Sequence, residues 1–203
     1  MSLTQAEHIF GGVHETGIND LLQAFFTARP RHLRYGTPMF VAATTVAGTS
    51  MPAINFFGLN IQFLITCPIP TVDITPGGAG SSALPPGVNE FTVRTTLNFT
   101  VVVNNLPQII GALQVLARCS PFVAISTPGT GQIGITLKKV EIVDITPDPV
   151  ESLIEALALG ILQTILATAR FPFNTITVGA FGLILLAGPT AETDQIKVRG
   201  NAL

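Results

Sequence analysis

The residues that could support chemistry are few in this sequence of 203 residues, and their spacing matches none of the common active sites. Its histidines are His8, His14 and His32, and the pair His14-Glu15 is not followed by the second histidine that a helical zinc site requires. The sequence also lacks a nucleophile-elbow serine, a cysteine pair at metal spacing and an acidic cluster. We therefore expect no enzymatic activity, no catalytic residue and no bound metal.

A glycine-rich hexapeptide, Gly129 to Gly134, has the G-x-G-x-x-G spacing that binds the phosphates of a dinucleotide when a helix follows it. Here the residues from Ile133 to Val140 have a strand pattern instead. The sequence therefore predicts a hairpin turn at this position and no cofactor.

The two cysteines, Cys67 and Cys119, lie in apolar, strand-like segments, where a free thiol behaves as a small core residue. Two cysteines are too few for a disulfide framework. A single disulfide between them stays open at this point.

Composition limits the classes of function. Hydrophobic residues make up 47% of the chain and charged residues only 11%, less than half of the roughly 25% usual for a soluble domain. So much apolar surface must be buried inside the chain, face a ligand or contact another subunit. The net charge of -2 and the scattered lysines and arginines predict no nucleic-acid binding.

The length predicts a single domain over residues 1–203. Residues 1–5 lack the basic run of a secretory signal, and charged and histidine side chains interrupt the apolar residues that follow. We therefore expect a cytoplasmic protein by default, with release or export by another route left open.

Residues 148–169 have the pattern of a helix that is apolar over most of its circumference. Asp148, Pro149 and Glu151 supply the capping signals at its start. A glutamate and a glutamine interrupt the apolar run, so we expect no transmembrane segment. Such a helix is either core covered by a sheet or, in a second interpretation, the border of a space for a lipid-like ligand.

A first amphipathic helix is predicted near the N-terminus. Thr4 and Glu7 have capping-box spacing, and apolar residues recur at helical spacing as far as Phe25. Pro30 ends this helix.

From residue 33 to about residue 146 the apolar period changes to two. Residues 57–65 and 89–103 predict strands with one apolar side, and the second of these is on the order of 50 Å long. Residues 106–119 fit a helix or a strand, and we favour a strand. A shift of phase near Lys138 and Lys139 predicts a β-bulge.

The C-terminal segment combines the apolar pattern at 148–169 with Phe171-Pro172-Phe173 and with strand patterns around Phe181-Gly182-Leu183 and from Gln195 to Asn201. This order resembles the end of a tubular lipid-binding (TULIP) domain, as in bactericidal/permeability-increasing-like proteins, takeout-like proteins and clostridial toxin-cluster relatives. The resemblance implies an α+β fold, in which a long, highly curved antiparallel sheet wraps around a long C-terminal helix. It also implies an N-terminal amphipathic helix and an elongated groove for acyl chains.

Together, the apolar excess, the one-sided strands and the resemblance predict non-enzymatic binding of a lipid or other hydrophobic small molecule in an elongated apolar groove. The residues expected to line it are Phe25, Leu59, Phe63, Leu97, Phe99, Leu157, Ile161, Ile165, Phe181 and Leu183. The alternative is a structural or assembly protein, for example a toxin-complex component, whose apolar surface is buried in a homo-oligomer or against a protein partner.

Overall fold

A computed structural model of the chain describes residues 9–42, 46–56, 58–75, 85–104, 108–127, 130–143, 160, 171–173, 176–178 and 181–202. Most of these residues are in β-strands, which form two sheets.

The N-terminal part of the described chain alternates short strands and helices. Its elements are β1 (Ile9–His14), α1 (Glu15–Ala28), a 3₁₀ helix (Pro30–Leu33), β2 (Arg34–Gly36), α2 (Pro38–Val41), β3 (Thr49–Ser50) and β4 (Ile54–Phe56). The side chain of His14 caps α1, because its Nδ1 accepts a hydrogen bond from the N–H of Thr16 at 3.2 Å.

Longer strands follow. They are β5 (Leu59–Thr66), β6 (Thr71–Asp73), β7 (Phe91–Val103), β8 (Ile109–Thr127) and β9 (Thr130–Val143). The C-terminal strands are β10 (Phe171–Phe173), β11 (Ile176–Val178), β12 (Phe181–Glu192) and β13 (Gln195–Ala202). The ambiguous segment at 106–119 is therefore a strand from Ile109 onward, as favoured.

The larger sheet has nine strands in the order β10-β9-β8-β7-β5-β2-β3, with β4 paired to β5 and β6 paired to β7. The smaller sheet has four strands in the order β1-β13-β12-β11. Every pair of neighbours is antiparallel except β2 and β3, which run parallel. The central strands β7, β8 and β9 form consecutive hairpins, which need only short connections.

The register of the central strands brings most of their apolar residues to one side. Leu97 of β7 pairs with Leu113 of β8, whereas the adjacent pair, Asn98 and Ala112, belongs to the opposite side. The side that carries Leu97 is called here the apolar face, and the side that carries Asn98 is called the polar face. Residues 59–65 and 91–103 follow this alternation, so each strand begins two residues later than predicted.

A β-bulge lies at Lys138, as the sequence predicts. Arg118 pairs with Lys139 and Cys119 pairs with Leu137, so Lys138 has no partner in the register of β8 and β9. The extra residue lets Leu137 and Val140 both face the apolar side, because without it the alternation would place them on opposite sides.

Hydrogen bonds at the start of α1 link the two sheets. Glu15 donates its N–H to the carbonyl of Asp194, in the β12–β13 turn, and Asp194 donates its own N–H to the carbonyl of Ile74. The Glu15 carboxylate then accepts the N–H of Ile74 at 2.7 Å. Farther along, the Asn89 side chain accepts the N–H of Ala191 at 2.6 Å. These bonds fix the smaller sheet and α1 against the end of β6.

The predicted fold class is wrong. We expected one antiparallel sheet around a long C-terminal helix, but the described residues form two sheets, and the larger is mixed. Within the described residues the α-helices are short, with 14 residues in α1 and 4 in α2. The helix predicted at residues 148–169 lies outside the described residues, apart from the helical Gly160. The sheet prediction failed because a period of two identifies a strand but carries no information about which other strand it pairs with.

The predicted start of the first helix is also wrong. Residues 9–14 form β1, which pairs antiparallel with β13 from Ile9 and Gly200 to His14 and Gln195. Gly11 and Gly12 each lower helix propensity by about 1 kcal/mol relative to alanine, and the edge of β13 offers backbone hydrogen bonds to an extended chain. The helix therefore begins only at Glu15.

Candidate hydrophobic-ligand site

The apolar face carries a buried group of side chains that we call the first core cluster. Its members come from β2, β5, β7, β8 and β9, and each is at most 4% exposed: Tyr35, Phe63, Ile65, Leu97, Val115 and Ile142. Partly buried side chains pack against them, among them Met51, Ile54, Cys67, Phe99, Val101, Leu113 and Val140. The cluster forms because the alternation in four long strands brings their apolar residues to one side.

A second core cluster lies at the other end of the same strands, toward the smaller sheet. It comprises Val72, Ile74, Phe91, Ala117, Cys119 and Ala191. Ile18 and Leu22 of α1 and Ile196 of β13 pack against it. Val140 contacts both clusters, so the apolar surface is continuous along β7, β8 and β9.

Two phenylalanines on the central strands lie over glycines of the neighbouring strand. Phe99 pairs with Gly111, and a Cβ added to that glycine would be 2.4 Å from the ring carbon Cζ. Phe122 pairs with Gly134 in the same way, with a corresponding distance of 2.6 Å. Each ring occupies the space that a side chain would otherwise fill, which is one reason that glycine occurs in a strand.

The predicted lining residues are found in different environments. Phe63 and Leu97 belong to the first core cluster, and Phe99 packs against it. Leu59 and Phe25 are 41% and 38% exposed and lie outside both clusters. The structure therefore brings three of the described residues together on the apolar face and leaves two apart from them.

The other predicted lining residues cannot be placed in this way. Leu157, Ile161 and Ile165 lie outside the described residues. Phe181 and Leu183 belong to β12, and their side chains lie outside the described part of the structure. That any of these residues lines a ligand groove stays a prediction.

The first core cluster also contains residues that the predicted lining omitted. Val115 and Ile142 lie in strand segments whose alternation is visible in the sequence, and pairing of β8 with β9 places them side by side. Tyr35 lies in a strand of only three residues, which is too short for its period to identify it.

The titratable groups on the apolar face are neutral at physiological pH. Burial raises the pKa of both thiols, Cys67 and Cys119, to about 12, and burial also raises the pKa of the Tyr35 hydroxyl to about 12. Both cysteines are free, so the disulfide left open by the sequence is not formed. Neutral, protonated thiols are poor nucleophiles and suit an apolar contact surface.

The strongest charge cluster in the described residues lies on the smaller sheet. Glu192 accepts hydrogen bonds from Lys197 at 2.5 Å and from Arg199 at 2.7 Å. The hydrogen bond from Lys197 is the main cause of a lowered pKa for the Glu192 carboxyl, and the positive charges of Lys197 and Arg199 add to it. The cluster links β12 to β13 and is separate from the apolar face.

Two surface clefts lie on the polar face. The larger, of about 380 Å³, is lined by Met39, Asn60, Gln62, Val102 and Asn104. The smaller, of about 270 Å³, includes Arg94, Thr96 and Gln114. The amide side chains at the larger cleft already bond to one another, with Asn60 linked to Asn55 and Gln62.

In the part of the chain that the structure describes, no helix is long and apolar enough to cross a membrane. Those residues also contain no group of three or more histidine, cysteine, aspartate or glutamate side chains that could hold a metal ion.

Comparison with protein-family models gives no match, and comparison with curated proteins gives none. Among solved structures, the chain matches the crystal structure of lipopolysaccharide binding protein with a TM-score of 0.33 and 9% sequence identity. The match covers 97% of this chain and 41% of that chain, so this protein spans less than half of that protein's length. A TM-score this low supports no conclusion about fold or function. The resemblance to the tubular lipid-binding superfamily therefore stays a prediction.

Proposed function

We propose that the protein binds a lipid or other hydrophobic small molecule against the apolar face, without converting it chemically. The observation that carries this proposal is the register of the central strands, which aligns apolar residues from β5, β7, β8 and β9 as one continuous surface. The chain has 47% hydrophobic residues, and its 11% of charged residues is less than half of the roughly 25% usual for a soluble domain.

The dimensions and chemistry of the apolar face suit an acyl chain. The 13 residues of β7 extend over about 44 Å, longer than the roughly 30 Å hydrocarbon core of a bilayer in which two acyl chains meet end to end. Each methylene removed from water would contribute about 0.8 kcal/mol to binding. The protonated thiols and the neutral Tyr35 place no charge beside the ligand.

Two adjacent residues of β7 give a matched test of the side on which a ligand binds. Val101 packs against the first core cluster, whereas Val102 lines the larger cleft on the polar face. In the variant Val101→Trp the larger side chain should occupy space on the apolar face and reduce uptake of a fluorescent fatty acid at least tenfold. The variant Val102→Trp adds the same volume on the opposite side and should leave uptake unchanged.

Native mass spectrometry of the purified full chain provides the second readout. We expect a mass increment from a lipid that co-purifies with the wild-type protein and is lost in Val101→Trp. Urea denaturation of both variants checks that they remain folded at the assay temperature. Equal uptake by the two variants, or a wild-type protein without bound lipid and without fatty-acid uptake, would refute the proposal.

Assembly with other subunits is the second candidate function, and one observation favours it. Ile109 and Ile110, at the start of β8, are 58% and 74% exposed and point to opposite sides of the strand. Exposed apolar side chains like these are removed from water when a second subunit covers them. If this end of the sheet is a subunit contact, sedimentation equilibrium should show an oligomer that Ile109→Ser with Ile110→Ser dissociates. A wild-type monomer at high concentration would exclude self-assembly through this end.

A further inference from the structure

Helix α1 has an exposed apolar side next to its buried one. Leu21 and Phe25 are 55% and 38% exposed and lie four residues apart, so they share one side of the helix. Val13, at the end of β1, is 53% exposed, and its Cγ1 is 3.7 Å from the position of a Cβ on Gly17, one turn before Leu21. We call Val13, Leu21 and Phe25 the α1 stripe.

The α1 stripe ends at a group of cations. The guanidinium of Arg29 lies 4.9 Å from the centre of the Phe25 ring, and the ring of His32 stacks on Phe25 at 5.8 Å. Arg29 and Arg31 are exposed. Their charges, after burial itself, lower the pKa of His32, which places both guanidinium groups near that ring.

This positive charge has few opposing acids. The sequence contains no aspartate or glutamate from Leu21 to Val72, a stretch that includes Arg29, Arg31 and Arg34. Among the described residues, the ion pairs involve Arg94, Arg118, Lys139, Lys197 and Arg199 rather than these arginines. Glu15, at the far end of α1, uses its carboxylate to bind the N–H of Ile74.

We propose that the α1 stripe and the arginines Arg29 and Arg31 dock the protein on the surface of an anionic lipid bilayer. A helix that lies in a membrane interface places apolar side chains among the upper acyl groups and cations beside the phosphate groups. The α1 stripe with its terminal arginines provides both parts on one exposed surface. This surface is separate from the apolar face of the larger sheet, so the docking does not depend on the proposed ligand binding.

Vesicle flotation of the full chain tests the docking. We expect the protein to float with vesicles of phosphatidylcholine mixed with phosphatidylglycerol and to stay behind with vesicles of phosphatidylcholine alone. The double variant R29Q/R31Q should reduce partitioning at least tenfold, since each cation near an anionic surface contributes roughly a fivefold change. Leu21→Ser should weaken binding severalfold, and added salt should weaken the wild type by screening.

The chain offers a matched control for each variant. K138Q/K139Q removes the same number of charges from two exposed lysines of β9. Val88→Ser removes an apolar side chain that is 92% exposed, in the segment before β7. Both controls should float as the wild type does, and circular dichroism of all variants should show unchanged secondary structure.

Three outcomes would overturn the proposal: no flotation of the wild type, equal flotation with neutral vesicles, or equal losses in the variants and their controls. A dimer that Leu21→Ser dissociates, without vesicle binding, would show that a second copy covers the α1 stripe instead. Fatty-acid uptake measured on R29Q/R31Q separates this proposal from the proposed function. Uptake should remain intact when flotation is lost.

Discussion

At the scale of single residues, the packing of two aromatic rings depends on the absence of a side chain across the strand. Phe99 lies over Gly111 and Phe122 lies over Gly134, and each glycine is the register partner of the ring that covers it. Because a ring is stiff, it cannot give way as the end of a long flexible side chain would. The glycines therefore have a packing role, although neither has a positive φ.

Gly111→Ala tests this packing. The new methyl group would meet ring atoms of Phe99 at 2.4 and 2.8 Å, so the ring must move away from the first core cluster. We expect a loss of about 1–3 kcal/mol in the free energy of unfolding, the usual cost of overpacking, measured by urea denaturation. Gly11→Ala is the control, because its Cβ would meet Val198 at an ordinary 3.7 Å. Equal losses in the two variants would contradict the argument.

The ion pairs of Glu192 with Lys197 and Arg199 make the free energy of unfolding depend on pH. The Glu192 carboxyl has a folded-state pKa below its ordinary value of 4.5, mainly because Lys197 donates a hydrogen bond to it. Its contribution to stability is therefore present above pH 4.5 and is lost as the pH falls through the folded-state pKa.

We expect Glu192→Gln to lower the thermal midpoint at pH 7 by roughly 3 °C or more, because Lys197 and Arg199 lose their anionic partner. The difference from the wild type should shrink as the pH falls below 4.5. Glu141→Gln is the comparison, since its partner Lys139 is 55% exposed and such pairs contribute little. A difference that is constant with pH would argue against a role for the charge.

At the scale of elements, one side chain of α1 makes the two backbone hydrogen bonds to β6 that a neighbouring strand would make. The amide of Asn19 donates to the carbonyl of Val72 at 2.9 Å and accepts the N–H of Val72 at 2.8 Å. Both bonds go to the backbone of β6, whose other neighbour is β7. The two bonds fix the helix relative to the second core cluster, where Ile18 and Leu22 pack.

Asn19→Ala should reduce the free energy of unfolding by about 1–3 kcal/mol, because both partly buried backbone groups of Val72 lose their partner. Hydrogen exchange should locate the effect, with faster exchange at the amide of Val72 and little change at the amides of β8. Asp20→Ala changes the neighbouring exposed residue and serves as the control. Unchanged exchange at Val72 would mean that α1 is held by its apolar contacts alone.

At the scale of the whole molecule, the two core clusters share the same three long strands. β7, β8 and β9 contribute to both, and Val140 packs against both. The clusters should therefore unfold together, because neither can lose its strands without exposing the other.

The two cysteines report on this cooperativity, since Cys67 packs against the first core cluster and Cys119 belongs to the second. With burial and a pKa of about 12, both thiols should react very slowly with an alkylating reagent at pH 8 in the folded protein. In increasing urea, Cys119→Ala and Cys67→Ala each leave one thiol to be labelled. We expect one common midpoint, and two separate midpoints would show that the clusters unfold independently.

The local features of this protein could be predicted from its sequence. The strands at 59–66 and 91–103, the apolar and polar sides of the larger sheet and the bulge at Lys138 all follow from alternation with a period of two. The strand pattern from Ile133 to Val140 was equally visible, although β9 already begins at Thr130, inside the glycine-rich hexapeptide. These features depend on residues that are close in the sequence, so the order of apolar and polar residues along the chain is enough to predict them.

The pairing of the strands and the start of the first helix depend on contacts between residues that are far apart in the sequence. β1 is extended because β13, more than 180 residues later, supplies its hydrogen-bond partners, and no local pattern contains that information. The same holds for the division into two sheets and for Tyr35, which joins the first core cluster from a strand of three residues. Phe63 and Leu59 are both large apolar residues of β5 that were predicted to line the groove, but they differ in burial because their position along the strand decides which neighbours cover them.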